Sequence, residues 1–187
     1  MASIEIGRPV AWRVKAIAPD GAFAGYASVF GTTDSEGDRV QPGAFAASLA
    51  RWNAAGRLPP FLWQHDMAQP IGRFDRVFED ATGLRVEGRI ALETMRGREA
   101  LALLRLGALD GLSIGYSTVG AAIAGDGARL LKTLELHEIS LVTLPANDAA
   151  RVAWVKAAPG EATELSTAII ANLRRAAEAI APRKDKA

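Results

Sequence analysis

Ser113 stands in Gly111-Leu112-Ser113-Ile114-Gly115, the G-x-S-x-G spacing of a nucleophile elbow. Flanking glycines let a backbone bend sharply, or let another group come close to the serine. A serine hydroxyl attacks a carbonyl only with a base beside it and a third group orienting that base. The chain has two histidines, His65 and His137, so any imidazole chemistry must use one of them. His65 closes the apolar run Phe61-Leu62-Trp63-Gln64 where a loop begins, with Asp66 next to it. His137 lies inside the apolar run from Leu134 to Leu144. In an alternating strand Leu136, Glu138, Ser140 and Val142 share one face, and His137, Ile139 and Leu141 share the other. A carboxylate there is costly unless paired. Glu138 therefore either meets a histidine or faces solvent on an edge strand. The residue types alone leave Ser113 a nucleophile or a tight packing site, and His65 a general base or a strand-end cap.

The elements that must position these groups are mostly strands. Val10 to Ile17, Gly21 to Phe30, Phe61 to His65, Gly111 to Val119 and Leu130 to Leu144 read as strands. Ile71 to Phe78 and Leu84 to Leu92 form an antiparallel pair around the turn Asp80-Ala81-Thr82-Gly83. A short helix follows Pro42, with Phe45, Leu49 and Trp52 at helical spacing. Thr94 to Leu106 is a second helix. Thr94 suits its N-cap, Gly107 its end, and Leu101, Leu104 and Ala108 its buried face. Strands and helices do not alternate regularly, so a doubly wound parallel sheet is not expected. The expected fold class is α+β and β-rich, a partly closed antiparallel β-barrel flanked by helices. Residues 1–156 form that domain. Pro159-Gly160 opens a linker, and residues 157–187 carry an amphipathic helical tail ending in Arg183-Lys184-Asp185-Lys186.

Composition narrows the chemistry. The 187 residues carry 22 Lys and Arg against 21 Asp and Glu, a net charge of +1, with no basic stripe to follow a phosphate backbone. No nucleic-acid partner is expected. With no cysteine, disulfides, thiolate catalysis and Cys-based zinc sites are excluded. No apolar run is long enough to span a bilayer, and Met1 to Trp12 lacks the apolar core of a secretory signal, so no membrane partner is expected and the cytoplasm is the expected compartment. Asp34-Ser35-Glu36-Gly37-Asp38 alternates carboxylates as some calcium loops do, but lacks the later glutamate at EF-hand spacing and reads as a turn. Trp12, Trp52, Trp63 and Trp154 are scattered and read as packing residues.

Four stretches, in order, carry a resemblance. They are GYASVFGTTDSEGDRVQPGAF, LWQHD with PIGRF just after it, GREALALLRLGALDGLSIGY, and LHEISLVTLPAN, running from Gly25 to Asn147. In these the chain resembles the prohead (capsid-maturation) proteases of tailed phages, distant relatives of the herpesvirus assemblin proteases. The resemblance implies a β-barrel serine endopeptidase with Ser113 as nucleophile and His65 as general base. It implies Glu138 as the third member, with His137 and then Asp66 as alternatives, since assemblins use a second histidine and the phage branch an acid. The arginine pair that helps form the assemblin oxyanion hole is absent: the corresponding stretch reads Leu144-Pro145-Ala146-Asn147, which leaves backbone N–H groups as the donors.

By the same resemblance the substrate is the scaffold-like segment of the major capsid protein, and the protease itself by autocleavage. The setting is an assembling procapsid in the bacterial cytoplasm, with a homodimer or higher assembly as a further expectation. No metal or organic cofactor is needed for such acyl transfer. Two other functions compete: a catalytically inactive assembly or scaffolding protein of the same fold, and an α/β-hydrolase-type esterase. The latter requires the order serine, acid, histidine on a parallel framework. Here the histidine after Ser113 is His137, inside a strand.

Overall fold

The computed structural model describes residues 20–153. The element order is β1 (Ala22–Val29), β2 (Asp38–Val40), α1 (Ala46–Ala54), β3 (Phe61–Trp63), β4 (Asp66–Glu79), β5 (Gly83–Ile90), α2 (Met95–Leu106), β6 (Gly111–Ile123), β7 (Arg129–Val142) and β8 (Val152–Ala153). The expected strand over Val10 to Ile17, the tail helix, Trp12 and Trp154 lie outside the described residues.

The strands form one sheet in the order β2-β7-β3-β4-β5-β1-β8, with β6 on the other edge of β7. A bridge between Gly111 and Arg151 links β6 back toward β8, so the sheet curls around almost to meet itself. The expected barrel is thus present, with one correction to its strand directions. Both β2 and β3 run parallel to β7, each against a different half of that 14-residue strand. The remaining pairings between named strands are antiparallel. Parallel neighbours need a long crossover. Here α1 supplies it, carrying the chain from β2 to β3 along the same edge of β7.

Phe23, Phe61 and Phe74 meet inside the curl, with ring centroids 4.8 to 6.0 Å apart, among Leu84, Val86, Leu112, Leu131, Ile139 and Leu141. Phe45 and Leu49 of the first helical region point into this core, and Trp52 Nε1 donates to the Leu136 carbonyl at 2.9 Å. In α2 the Thr94 hydroxyl accepts from the Gly97 N–H at 2.9 Å, and Gly107 ends the helix at φ 69°. Leu101 and Leu104 are buried as expected. Ala108 is exposed, because the left-handed residue before it turns the chain, and Leu109 takes the buried position instead. Asp80 Oδ1 accepts from the N–H groups of Thr82 and Gly83 and fixes the expected turn between β4 and β5. No helix among the described residues is long and apolar enough to cross a membrane.

Candidate active site

Strand β7 is the platform. It has β3 on one side and β6 on the other, so Leu62, Ser140 and Ser113 lie in one row across the sheet. Cross-strand partners project to the same face, with Cβ atoms about 5 Å apart. Ser113 therefore stands on the face that also carries Ser140 and, two residues along, Glu138. The other face of this patch carries Leu112, Ile139 and Leu141, all fully buried in the core. Glu138 is opposite Gly115, and Tyr116 opposite Leu136, so His137 is an extra residue in β7. That bulge corrects the plain alternation expected for the strand. Leu136 joins Ile139 and Leu141 in the core, while Glu138 and Ser140 stay together on the site face.

His65 is brought to Glu138 by a tight turn. Trp63 pairs with Asp66, leaving Gln64 and His65 as a two-residue connection with φ of 51° and 62°. Positive φ at both central residues suits the twist of a hairpin, but side chains other than glycine and asparagine pay steric strain there. Strand β7 holds the turn. Gln64 N–H donates to the Leu141 carbonyl at 3.0 Å, Gln64 Nε2 to Thr143 Oγ1 at 2.8 Å, and His65 N–H to Ser140 Oγ at 3.1 Å. Strain kept at a fixed side chain is a feature of functional sites.

The imidazole then reaches back. His65 Nδ1 is 2.6 Å from Glu138 Oε1. A carboxylate can only accept, so Nδ1 carries the proton and Nε2 offers its lone pair away from the acid. Nε2 has no partner among the described residues. The Ser140 hydroxyl donates to Glu138 Oε2 at 2.6 Å, so both carboxylate oxygens are bound. The Glu138 side chain is 6% exposed and that of His65 45%. The hydrogen bond to Glu138 holds the His65 pKa above the ordinary histidine range, against the opposing effect of burial.

Ser113 and His65 line one cleft of about 130 Å³, together with Ser28, Tyr116, Ala146 and Asn147. Asp34 and Glu36 lie on its wall. The Asp34–Asp38 segment is a turn built on Asp34 Oδ1, which accepts from the N–H groups of Glu36 and Asp38. Asp38 is 1% exposed and bound by Arg129 and by the Tyr116 hydroxyl at 2.9 Å. The Arg129 hydrogen bonds hold its pKa below the usual carboxylate range. Burial, then the bond to Asp38, raises that of Tyr116.

The structure brings Ser113, His65 and Glu138 to one side of the sheet. It sends the two alternatives elsewhere. His137, the extra residue of the bulge, is exposed with its Nε2 2.7 Å from Ser117 Oγ, and it does not line the cleft that holds Ser113 and His65. Asp66 accepts from Ala68 N–H and Gln69 Nε2 at the start of β4, not from the imidazole. No elbow exists at Ser113: residues 111–123 form a strand along β7, which removes the framework of the esterase reading. Sequence reasoning grouped Ser140 with Glu138 but gave it no role. A hydroxyl two residues from a strand carboxylate, on the same face, was the available signal.

The sequence matches the family described as caudovirus prohead serine protease over residues 11–165. It is 36% identical over 143 residues to the prohead protease of Enterobacteria phage HK97, an alignment covering 75% of this chain and 62% of that protein. The chain thus spans about three fifths of that relative's length. It is 33% identical over 108 residues to the capsid polyprotein of Pseudomonas phage PAJU2, covering 54% of this chain and 16% of that protein. Among solved structures, the bacteriophage T4 capsid assembly protease matches with a TM-score of 0.53 at 10% identity, covering 72% of this chain and 81% of that one. The KSHV protease, solved with a hexapeptide phosphonate inhibitor, matches with a TM-score of 0.50 at 14% identity, covering 88% and 79%. At these identities the two structures speak for the fold.

Proposed function

Because the chain belongs to the caudovirus prohead serine protease family, we propose that it is a serine endopeptidase that cleaves the major capsid protein during procapsid maturation, with Ser113, His65 and Glu138 as its triad. The carrying observation is the 2.6 Å contact between His65 Nδ1 and a buried, doubly bound Glu138, in a cleft that also holds Ser113. His65 Nε2 takes the Ser113 proton as Oγ attacks the peptide carbonyl, and Glu138 stabilises the imidazolium that forms. His65 then returns the proton to the leaving amine, and water releases the acyl group by the reverse route. The N–H groups of Ala146 and Asn147, in the cleft wall, donate to no acceptor among the described residues and supply the oxyanion contacts. Self-cleavage, self-association and confinement to the procapsid belong to the same proposal.

The test is co-expression with the neighbouring major capsid protein, wild type against Ser113→Ala, with intact-mass analysis of both chains. Loss of an N-terminal capsid segment only with wild type is the expected result. Equal cleavage by the variant would remove Ser113 from the mechanism. Cleavage by neither would favour a scaffolding protein.

A further inference from the structure

The catalytic proposal leaves one wall of the cleft unexplained. Ser28 is 1% exposed and lines the same cleft as Ser113 and His65. Its Oγ is the one buried side-chain polar atom among the described residues with no hydrogen-bond partner. Buried hydroxyls are nearly always paired, and an unpaired one costs stability.

The backbone places it there by a specific device. In β1, Tyr26 pairs with Arg85 and Ser28 with Leu84, so Ala27 is an extra residue. Up to that point buried and half-buried positions alternate: Phe23, Gly25 and Ala27 are in, and Ala24 and Tyr26 are half-exposed. Simple alternation would turn Ser28 outward with Tyr26. The bulge instead leaves Ala27 and Ser28 buried in succession, both beside the cleft. Bulges beside active sites commonly re-aim a side chain in this way.

We infer that the Ser28 hydroxyl is a substrate-binding group. It hydrogen-bonds the main chain of the polypeptide next to the bond that Ser113 attacks. Ser28 and Ser113 line the same small cleft, so a main chain seated in it beside Ser113 lies near Ser28 as well. A peptide main chain offers a donor and an acceptor at each residue, and a hydroxyl can serve either. The unpaired atom is then an incomplete site that the substrate completes.

The inference rests on the acyl-transfer reading, and the experiment separates the two. Wild type, Ser28→Ala and Ser113→Ala, each as the full chain, are compared in three measurements. These are labelling by a small fluorophosphonate that carries no peptide, the kcat/KM for cleavage of the major capsid protein, and Tm. Ser28→Ala removes one atom and should fold. The expected result is unchanged labelling, kcat/KM lower by about tenfold, the worth of one uncharged hydrogen bond, and a Tm equal to or above wild type. Unchanged cleavage would overturn the inference, making Ser28 a structural residue only. Equal losses in labelling and cleavage would also overturn it, since Ser28 would then support Ser113 rather than bind substrate. Labelling that survives in Ser113→Ala would instead overturn the catalytic reading itself.

Discussion

Gly115→Ala is the sharpest test of how the sheet positions the acid. A Cβ built on Gly115 collides with Glu138 Oε1 and stands 2.9 Å from its Cγ and 3.0 Å from its Cδ, where ordinary contact begins at 3.4 Å. Cγ must retreat by about half an ångström, and Oε1 by about twice that, to regain van der Waals distance. The carboxylate has little freedom to do so, because Oε1 is bound to His65 and Oε2 to Ser140, each at 2.6 Å. A retreat of that size turns a short charge-assisted bond into one beyond 3 Å. Such bonds are worth about 1.5–3 kcal/mol, so losing most of one lowers kcat by roughly 10- to 100-fold. Overpacking adds about 1–3 kcal/mol of instability.

Two readouts tie the effect to Glu138. Glu138 holds the His65 pKa up, and in the proposed mechanism His65 must be neutral to act. In Gly115→Ala the acid limb of the kcat/KM profile therefore moves to lower pH, towards the ordinary histidine value. In a Glu138→Ala background the new methyl loses its main collision, so the double variant should cost much less than the sum of the singles. Additive effects, or a variant with wild-type rate and an unmoved acid limb, would refute the account.

The same contact has a thermodynamic signature. A histidine pKa raised by folding gives stability that is complete below the unfolded value, about 6.5, and is lost as pH rises through the higher folded value. Since His65 is half exposed, the gain is at most about 1 kcal/mol. Glu138→Gln should flatten this slope, read as the change in Tm between pH 5.5 and pH 9, and an unchanged slope would break the link. Arg129→Met should lower the urea midpoint, because it leaves the Asp38 carboxylate buried beside Tyr116 without its cation. An unmoved midpoint would mean that Asp38 finds water or a proton at little cost.

Where local chemistry decides the outcome, the sequence was legible. Thr94 and Gly107 bound α2 because a hydroxyl cap and a left-handed glycine act within a few residues. The turn at Asp80 to Gly83 follows from one carboxylate and its neighbouring amides. The face shared by Glu138 and Ser140 follows from a period of two. What the sequence hid depends on partners distant in the chain. Nothing in Gln64-His65 announces positive φ at both residues, because the bonds that hold them come from Leu141, Ser140 and Thr143. The bulges at Ala27 and His137 are set by pairing to other strands, so alternation misjudged the facing of Leu136 and gave no hint of Ser28. Strand β8, two residues long, carries no periodicity at all.

The G-x-S-x-G spacing shows how one pattern can arise from two geometries. In an elbow the glycines relieve a sharp turn around an exposed serine. Here residues 111–115 pair regularly with Val142 to Glu138, so Gly111, Ser113 and Gly115 share a face through the period of two. Each glycine leaves room for a different component of the site. A Cβ on Gly111 would stand 2.7 Å from Pro145 Cδ and from the Val142 carbonyl oxygen, and so would push away the loop that carries Ala146 and Asn147. A Cβ on Gly115 would displace Glu138. The serine is flanked on its own face by two positions without side chains, one occupied by the loop and the other by the acid. The glycines are required because the site's other parts pack against this strand, not because the strand bends. On this argument alanine at position 111 should disturb the Ala146–Asn147 wall and alanine at 115 the histidine–acid pair, two different lesions from one motif.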